Sequence, residues 1–311
     1  MASKKLFSLL NYIGHKSKIL DQILPLFPSK VDGTFWDLFC GSCVVGLSAE
    51  YEKVKFVDNN PYLIELFKHL NDSDFLETLE KMINKYGLTN SSIIPRSEYL
   101  KKNDVGFCTW HGKKIKNLHL DKLNKDGYNS LLSDFNNGVF TTSKDRGIAF
   151  MIATLYGRNS NVQINKSNNL TGGVGPLDFS KKARSKLLEH QSRISEKKHI
   201  DWINAEYSQI KVNSNDFVYL DPPYLASGFK YGSWNEEDER NLLRWIDTLD
   251  CKWALSNTMA SGEKKNPILF SWSRKHKVHL INKKYRRWGT KGSETGKKEK
   301  KKNVEVLITN Y

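Results

Sequence analysis

Two short apolar strand patterns, each followed by a helical pattern, restrict the fold of this chain more than any other feature. Residues 33–39 form an apolar, aromatic run that ends beside Cys-Gly-Ser-Cys, and a helical pattern follows over 44–51. Residues 53–58 alternate as a second strand does, and a helix is expected over 62–71. A strand–helix–strand–helix order of this length indicates a βαβ unit, and therefore a parallel sheet.

Strand patterns return only in the last third of the chain. The intervening stretch is polar, rich in Asn and Lys, and carries one apolar helical patch at 148–156. We therefore expect one α/β sheet domain, Rossmann-like, built from both ends of the chain around a large insertion. The expected parts are an N-terminal part of the sheet domain at 1–71, an insertion at 72–199 and a C-terminal part of the sheet domain at 200–311. The later strands are expected at 216–220, 252–256, 277–281 and 304–309.

The tetrapeptide Asp221-Pro222-Pro223-Tyr224 follows the apolar strand at 216–220 directly. This position is the carboxyl edge of a parallel sheet, where such folds bind ligands. An exocyclic purine amine is a poor nucleophile, and two acceptors aimed at its hydrogens would turn its lone pair out of the ring plane. The Asp221 carboxylate and the Pro222 carbonyl can be those acceptors, because consecutive prolines fix the backbone. Tyr224 offers an aromatic face to an extruded base. The alternative is a proline-rich turn that only ends a strand.

With this tetrapeptide in place, the chain resembles the Dam-like (D12 class) DNA adenine-N6 methyltransferases. Their motifs occur in the family's order along nearly the whole chain. The matching segments are Tyr12-Ile13-Gly14-His15-Lys16, Asp37-Leu38-Phe39-Cys40-Gly41-Ser42, Asp58-Asn59-Asn60-Pro61, Glu206-Tyr207, Leu255-Ser256-Asn257, Asp221–Tyr224 and the last strand from Glu305 to Tyr311.

This resemblance implies a class I methyltransferase sheet, an inserted target-recognition domain and S-adenosyl-L-methionine as methyl donor. It implies catalytic roles for Asp221, Pro222 and Tyr224. The cofactor-binding residues that it implies are Tyr12, Lys16, Asp37, Phe39, Gly41, Ser42, Asp58, Glu206 and Asp221. Two of these roles also have a physical basis: a glycine turn allows close backbone approach, and an acid that ends the second strand can accept from ribose hydroxyls.

Two positions depart from the family's pattern. Cys43 stands where the family commonly has a second glycine, and its side chain could either crowd the cofactor or tighten the turn. Glu206 replaces an Asp and lengthens the contact by one methylene. Cys40 and Cys43 also spell Cys-x-x-Cys, but without thioredoxin-like surroundings or a second pair we expect neither a redox pair nor a metal site.

The charge of the chain favours a polyanionic partner. It has 49 Lys plus Arg against 34 Asp plus Glu, a net charge of +15. A cation-rich insertion and a run of ten Lys or Arg against two Glu at 283–302 concentrate that charge. We expect double-stranded DNA to contact Arg158 and Asn159 in the insertion, and Lys297 and Lys298 in the basic run. Both segments have an equally simple alternative, a solvated polar loop.

The remaining expectations concern location and assembly. Four cysteines are too few for a disulfide framework, and no apolar run approaches the ~18 residues of a membrane span, so we expect a cytoplasmic or nucleoid-associated monomer without a membrane partner. A restriction endonuclease is expected as a genetic partner, not a physical one. Two other functions stay open: an RNA adenine methyltransferase, and a non-catalytic DNA-binding protein of the same fold.

Overall fold

A computed structural model of the chain describes residues 6–10, 14–102, 108–110, 113–115, 120–160, 162–165, 167–226, 234–282 and 303–311. The described residues fall into two compact units. The first comprises residues 16–59 and 197–311, and the second comprises residues 6–15 and 60–196. Tyr12, Lys297 and Lys298 lie outside the described residues.

The helices and strands alternate in the first unit, whereas helices dominate the second. The helices are α1 (Leu20–Ile23), α2 (Val44–Ser48), α3 (Pro61–His69), α4 (Phe75–Lys85), α5 (Arg96–Lys102), α6 (Leu120–Asn136), α7 (Ser143–Tyr156), α8 (Lys181–Ser195), α9 (Glu236–Ile246) and α10 (Pro267–Ser273). The strands are β1 (Phe35–Leu38), β2 (Lys53–Asp58), β3 (Cys108–Trp110), β4 (Lys113–Ile115), β5 (Gln163–Ile164), β6 (Leu170–Thr171), β7 (His199–Asn204), β8 (Phe217–Leu220), β9 (Lys252–Ser261), β10 (Lys264–Lys265), β11 (Lys277–Ile281) and β12 (Asn303–Thr309).

The first unit is built on one sheet with the strand order β11-β12-β9-β8-β1-β2-β7, and β10 pairs with β9. Strands β9, β8, β1, β2 and β7 are parallel, whereas β12 and β11 are antiparallel to their neighbours. The mainly parallel sheet confirms the predicted Rossmann-like α/β fold. All six strands expected from the sequence are present. Strand β7, at the junction of the expected insertion and the expected C-terminal part, is a further strand that the sequence pattern did not indicate.

The centre of this sheet is apolar on both faces, as a parallel strand covered on both sides requires. Every residue of β1 and β8 is buried. On one face Phe35 and Phe217 stack with ring centroids 5.3 Å apart. On the other face lies the core formed by Trp36, Leu38, Val57, Val218, Leu220 and residues of α9 and α10.

The order of the strands fixes where a ligand can bind. From β1 the chain continues to β2 and β7 on one side, and then returns to β8 and β9 on the other. Strand order therefore reverses between β1 and β8. In open α/β sheets, ligands bind beyond the carboxyl ends of the strands at such a reversal. The segments that follow Leu38, Asp58, Asn204 and Leu220 are thus the candidates for a binding site.

In the second unit, α7 packs against α3 across a glycine. A Cβ added at Gly147 would lie 2.6 Å from the backbone nitrogen of Leu66, so only glycine permits this approach. Beside this contact the Arg146 Nε lies 3.1 Å from both carboxylate oxygens of Glu65. The sequence predicted the helix that corresponds to α3 and one helical patch that lies in α7. Helices α4, α5, α6 and α8 of this unit were not predicted.

Candidate active site

Two loops meet at the carboxyl edge of the sheet because β1 and β8 pair in parallel. Leu38 is the pairing partner of Leu220, so the residues after each strand emerge side by side. The backbone N–H of Asp221 donates to the carbonyl of Leu38 at 3.4 Å. The tetrapeptide of the second loop is therefore held against the first residues of the turn after β1.

The Asp221 carboxylate accepts from two side chains. The Lys16 ammonium lies 2.6 Å from Oδ1 and 2.5 Å from Oδ2, and the Tyr224 hydroxyl donates to Oδ1 at 2.8 Å. The Lys16 side chain is 2% exposed, whereas that of Asp221 is 19% exposed. This ion pair holds the carboxylate in one orientation, because breaking it would leave a buried ammonium and a mostly buried carboxylate with neither a charged partner nor full hydration.

Tyr224 completes this cluster. Its ring lies under the Lys16 ammonium, with 5.0 Å between Nζ and the ring centroid. Burial raises the pKa of the Tyr224 hydroxyl well above its ordinary value, and the negative charge of Asp221 raises it further. The hydroxyl is thus a hydrogen-bond donor across the physiological pH range. Pro222, which lies between Asp221 and Tyr224 in the chain, is buried.

The turn after β1 is held by its own backbone and by Asp58. Phe39, Gly41 and Cys43 all have positive φ, at 59°, 49° and 57°. The Cys43 N–H donates to the carbonyl of Cys40 at 2.7 Å, and the Gly41 N–H donates to Asp58 Oδ2 at 3.0 Å. Asp58 ends β2, so its carboxylate joins the second strand to the turn that follows the first.

Cys43 is buried inside this turn. Its side chain is 0% exposed, and its Sγ lies 3.7 Å from the Gly41 carbonyl. Its φ of 57° is one that glycine adopts without cost, which gives a physical reason for a glycine at this position. Burial raises the pKa of the Cys43 thiol to about 11 and that of Cys40 well above its ordinary value. Thiols in such surroundings are unreactive.

Asp37 lies beneath the turn. It is buried, and its Oδ2 accepts from the Gly46 N–H of α2 at 2.9 Å. Burial raises the pKa of the Asp37 carboxyl well above its ordinary value. A Cβ at Gly46 would lie 2.3 Å from the Phe56 ring, so glycine is required for α2 to reach this carboxyl. The Ser42 side chain is buried as well.

A small hollow opens beside the turn, lined by Phe39, Val57, Asp58, Asn59, Ala205, Glu206 and Tyr207. Its walls combine two aromatic rings, aliphatic groups and two carboxylates. Asn59 Nδ2 donates to Glu206 Oε1 at 3.0 Å and holds that acid in place. A nucleoside presents hydroxyl and amine donors on an aromatic body, and the carboxylates and apolar walls of the hollow are complementary to those chemical groups.

The predicted site residues thus divide by location. Lys16, Asp221, Pro222 and Tyr224 form the cluster just described, and Phe39, Asp58 and Glu206 line the hollow, all within the first unit. Arg158 and Asn159 are exposed in the second unit, where a 3-10 turn, Arg158–Ser160, ends α7 and lines a cleft with Gln163 and Thr171. Which of these residues bind cofactor or DNA stays a prediction.

Sequence reasoning did not single out the contributions of Asn59 and Tyr207 to the hollow. Tyr207 follows β7, a strand that the sequence pattern did not indicate. Its residues lie at the junction of the expected insertion and the expected C-terminal part, before clear strand patterns return at 216. The ring of Tyr207 packs on that of Phe39, with 5.4 Å between centroids. The alternation of His199–Asn204, with Ile200 and Trp202 facing one way, was the available signal.

Within the described residues, no cluster of three or more His, Cys, Asp or Glu side chains has the spacing of a metal site. None of the helices described there combines the length and apolarity needed to cross a membrane.

Comparison with known proteins assigns a family. The model of the D12 class N6 adenine-specific DNA methyltransferases matches residues 12–287. The type II methyltransferase M.FokI of Planomicrobium okeanokoites is 29% identical over 97% of this chain, and the modification methylase StsI of Streptococcus sanguinis is 29% identical over 99%. The matches cover only 42% and 43% of those two proteins. The type II methyltransferase M1.LlaDCHI of Lactococcus lactis subsp. cremoris is 22% identical, and 94% of its length is covered.

Proposed function

The chain belongs to the D12 class of N6 adenine-specific DNA methyltransferases, and from that premise we propose that it methylates adenine N6 in a short, specific sequence of duplex DNA. The observation that carries the proposal is the position of the Asp221–Lys16–Tyr224 cluster. It lies at the reversal of strand order, in the same unit as a hollow with nucleoside-binding chemistry. The family implies S-adenosyl-L-methionine as donor, which supplies an electrophilic methyl group when bound.

The cofactor would be held by the residues around the hollow. Asp58 and Glu206 offer carboxylate oxygens to hydroxyl and amine donors, and Phe39 offers an apolar wall. Asp37 contributes indirectly, because its hydrogen bond to Gly46 holds α2 and the end of the turn. Tyr12, which resembles a cofactor-binding residue of the family, lies outside the described residues.

The acceptor amine would be oriented by Asp221 and the Pro222 carbonyl. An ionised carboxylate has roughly four lone-pair sites. Lys16 uses one on each oxygen and Tyr224 uses a second on Oδ1, so the remaining site is on Oδ2. An amine hydrogen accepted there, and the other accepted by the Pro222 carbonyl, would leave the nitrogen lone pair directed away from the purine ring. The preorganised acceptors would stabilise the positive charge that develops on that nitrogen.

DNA would be bound chiefly through the cations of the second unit and of the basic run at 283–302. Arg158 and Asn159 are exposed, as residues that contact a groove must be. Tyr224 would stack on the adenine once it leaves the duplex.

Two of the similar proteins are named type II methyltransferases and one a modification methylase, so we propose a restriction endonuclease as genetic partner. A monomer associated with the nucleoid suits this role.

The test is methyl transfer from labelled S-adenosylmethionine to duplex DNA, with the modified base identified by digestion and its position by sequencing. Label in adenine N6 at one short sequence is expected. Label on cytosine, or on RNA alone, would assign a different acceptor. DNA binding with neither cofactor binding nor transfer would instead identify a non-catalytic protein of this fold.

Asp221→Ala should lower turnover by about 100-fold or more, the order of a lost preorganised transition-state contact. Binding of duplex DNA should persist, since phosphate contacts lie elsewhere. Asp250→Ala is the matched control, because Asp250 is an exposed carboxylate at the other end of the same sheet, beside the start of β9. Turnover of the Asp221 variant within a few fold of that control would remove the role assigned to this carboxylate.

A further inference from the structure

Glu239 is a buried carboxylate of the first unit that lies outside the Asp221–Lys16–Tyr224 cluster. Glu239, in the first turn of α9, is 0% exposed. Its Oε1 accepts from Asn257 Nδ2 at 3.0 Å and from Asn266 Nδ2 at 2.8 Å, and its Oε2 accepts from Trp234 Nε1 at 3.0 Å. The three donors come from β9, from the residue that caps α10 and from the segment before α9. One carboxylate thus joins three parts of the unit.

Burial makes this arrangement costly. A carboxyl group surrounded by neutral donors loses its hydration without the compensation of a cation. Burial raises the pKa of Glu239, although its three hydrogen bonds oppose that shift. An apolar residue at this position would fill the core without the free-energy cost of removing a carboxyl group from water. The specific feature that a carboxylate adds is the orientation of the groups that donate to it, including the Trp234 indole.

The indole of Trp234 in turn contacts the turn after β1. Its ring meets that of Phe39 edge-to-face, with centroids 6.1 Å apart and an interplanar angle of 87°. Tyr207 packs on Phe39 at 5.4 Å. Phe39 has a φ of 59°, a conformation that a side-chain-bearing residue keeps only when its surroundings hold it. Trp234 and Tyr207 are two of the residues that surround Phe39. Phe39 in turn forms one wall of the hollow.

We propose that Glu239 and Trp234 are positioning residues for the cofactor: the Glu239–Trp234 hydrogen bond fixes the indole, and the indole fixes Phe39 in the shape that binds the adenosyl group. This inference rests on the proposed function for the identity of the cofactor. It adds a connection from the core to the hollow.

The experiment removes this hydrogen bond from each side. Trp234→Phe keeps an aromatic ring but loses the donor, and Glu239→Gln keeps the shape but replaces an acceptor oxygen by an NH2 group. The Kd of S-adenosylmethionine and of S-adenosylhomocysteine is measured on the intact protein by calorimetric titration, together with KM and kcat. Each variant should raise the Kd by about tenfold, the order of one charge-assisted hydrogen bond, and raise KM while kcat at saturation stays within about twofold.

Two comparisons separate positioning from general loss of stability. Trp272 Nε1 donates to Asp247 Oδ1 at 3.0 Å, an indole–carboxylate hydrogen bond of the same length in the same unit. Trp272→Phe should leave the cofactor Kd unchanged, whatever it does to the Tm. The double variant Trp234→Phe with Glu239→Gln should bind cofactor no more weakly than the weaker single variant, because both changes remove one hydrogen bond.

Each outcome is decisive. Wild-type cofactor affinity in Trp234→Phe, or an equal loss in Trp272→Phe, overturns the positioning role. Fully additive losses in the double variant overturn the connection between the two residues. A wild-type protein that binds S-adenosylmethionine but does not methylate DNA contradicts the proposed function, while the Kd comparison still decides the inference.

Discussion

The turn after β1 combines two unusual backbone conformations within five residues. Phe39 and Cys43 both have φ near +60°. Residues other than glycine are strained by roughly 1–2 kcal/mol in this conformation. The hydrogen bond from Gly41 to Asp58 and the packing of Phe39 between two rings keep the turn in this form. Such strain concentrates where a backbone has to approach a ligand closely.

The conformation of Cys43 can be tested by changing its side chain. Cys43→Val should lower the free energy of unfolding by about 2 kcal/mol more than Cys251→Val, because a β-branched residue tolerates positive φ least. Cys251 is the control, since it is also buried but is not among the residues with positive φ. Cys43→Gly should stay within about 1 kcal/mol of wild type, as relieved strain offsets lost packing. Urea unfolding measures all three, and equal effects of Val at both positions would contradict the argument.

For individual residues, the sequence indicated which side chains belong to the site better than it indicated the residues that they contact. Lys16 and Asp221 were both expected at the site, but their ion pair joins residues 205 positions apart and follows only from the fold. Asp37 matched a family motif, yet its side chain lies under α2 and contacts Gly46. A motif gives the residue type at a position, whereas the direction of the side chain depends on which helix packs over it.

Among the elements, α3 and α7 show how a single glycine sets a helix contact. A Cβ at Gly147 would meet Leu66 N at 2.6 Å and Leu66 Cα at 2.7 Å. Backbone atoms cannot move aside as a flexible side chain can. The ion pair of Arg146 with Glu65 joins the residues that directly precede Gly147 and Leu66 in the chain, so it lies beside the same contact.

Gly147→Ala should therefore destabilise the second unit by about 2 kcal/mol, the usual cost of overpacking. In a solvent-exposed helix the same substitution would stabilise by up to ~1 kcal/mol, so the sign distinguishes the two situations. Gly173→Ala is the control within this unit, because an added Cβ there meets nothing within 4 Å. Hydrogen exchange of the α3 and α7 amides gives the local measurement. Unchanged protection of those amides in Gly147→Ala would show that the helices can separate without cost.

The sequence predicted sheet strands more completely than helices. Strands β1, β2, β8, β9, β11 and β12 have apolar or alternating patterns bounded by turns, and all were expected within a few residues. Helices α4, α6 and α8 carry many charged and amide side chains, so their apolar faces are narrow and were read as a polar insertion. Their stability comes from packing against α7 and its neighbours, which no local pattern reports.

For the molecule as a whole, the net charge of +15 matters more for binding than for folding. A polyanion attracts such a protein at long range and releases counterions when phosphates are neutralised. The lysines at 297–302 lie outside the described residues, so their expected part in DNA binding rests on composition alone. It remains a prediction.

Replacing the five lysines at 297–302 with Gln should weaken specific and non-specific duplex binding by similar factors. Each true phosphate contact that is lost should reduce the slope of log affinity against log salt by roughly 0.9, and the methylated sequence should not change. The control removes the same number of exposed lysines elsewhere, among them Lys30, Lys81 and Lys198. An equal change in slope for both variants would mean that only net charge matters; an altered target sequence would mean that the run reads bases.

The pairing of β1 with β8 also sets a delay during synthesis. Phe35 lies beside Phe217, about 180 residues later in the chain, and the second unit occupies most of the interval. At ~5–20 residues per second, a ribosome needs roughly 10 to 35 s to make that interval. For that time β1 has emerged without the strand that covers one of its edges, and the carboxylate of Asp221 does not yet exist to pair with Lys16. The centre of the sheet, and the Lys16–Asp221 ion pair with it, therefore cannot form until the whole of the second unit has been synthesised.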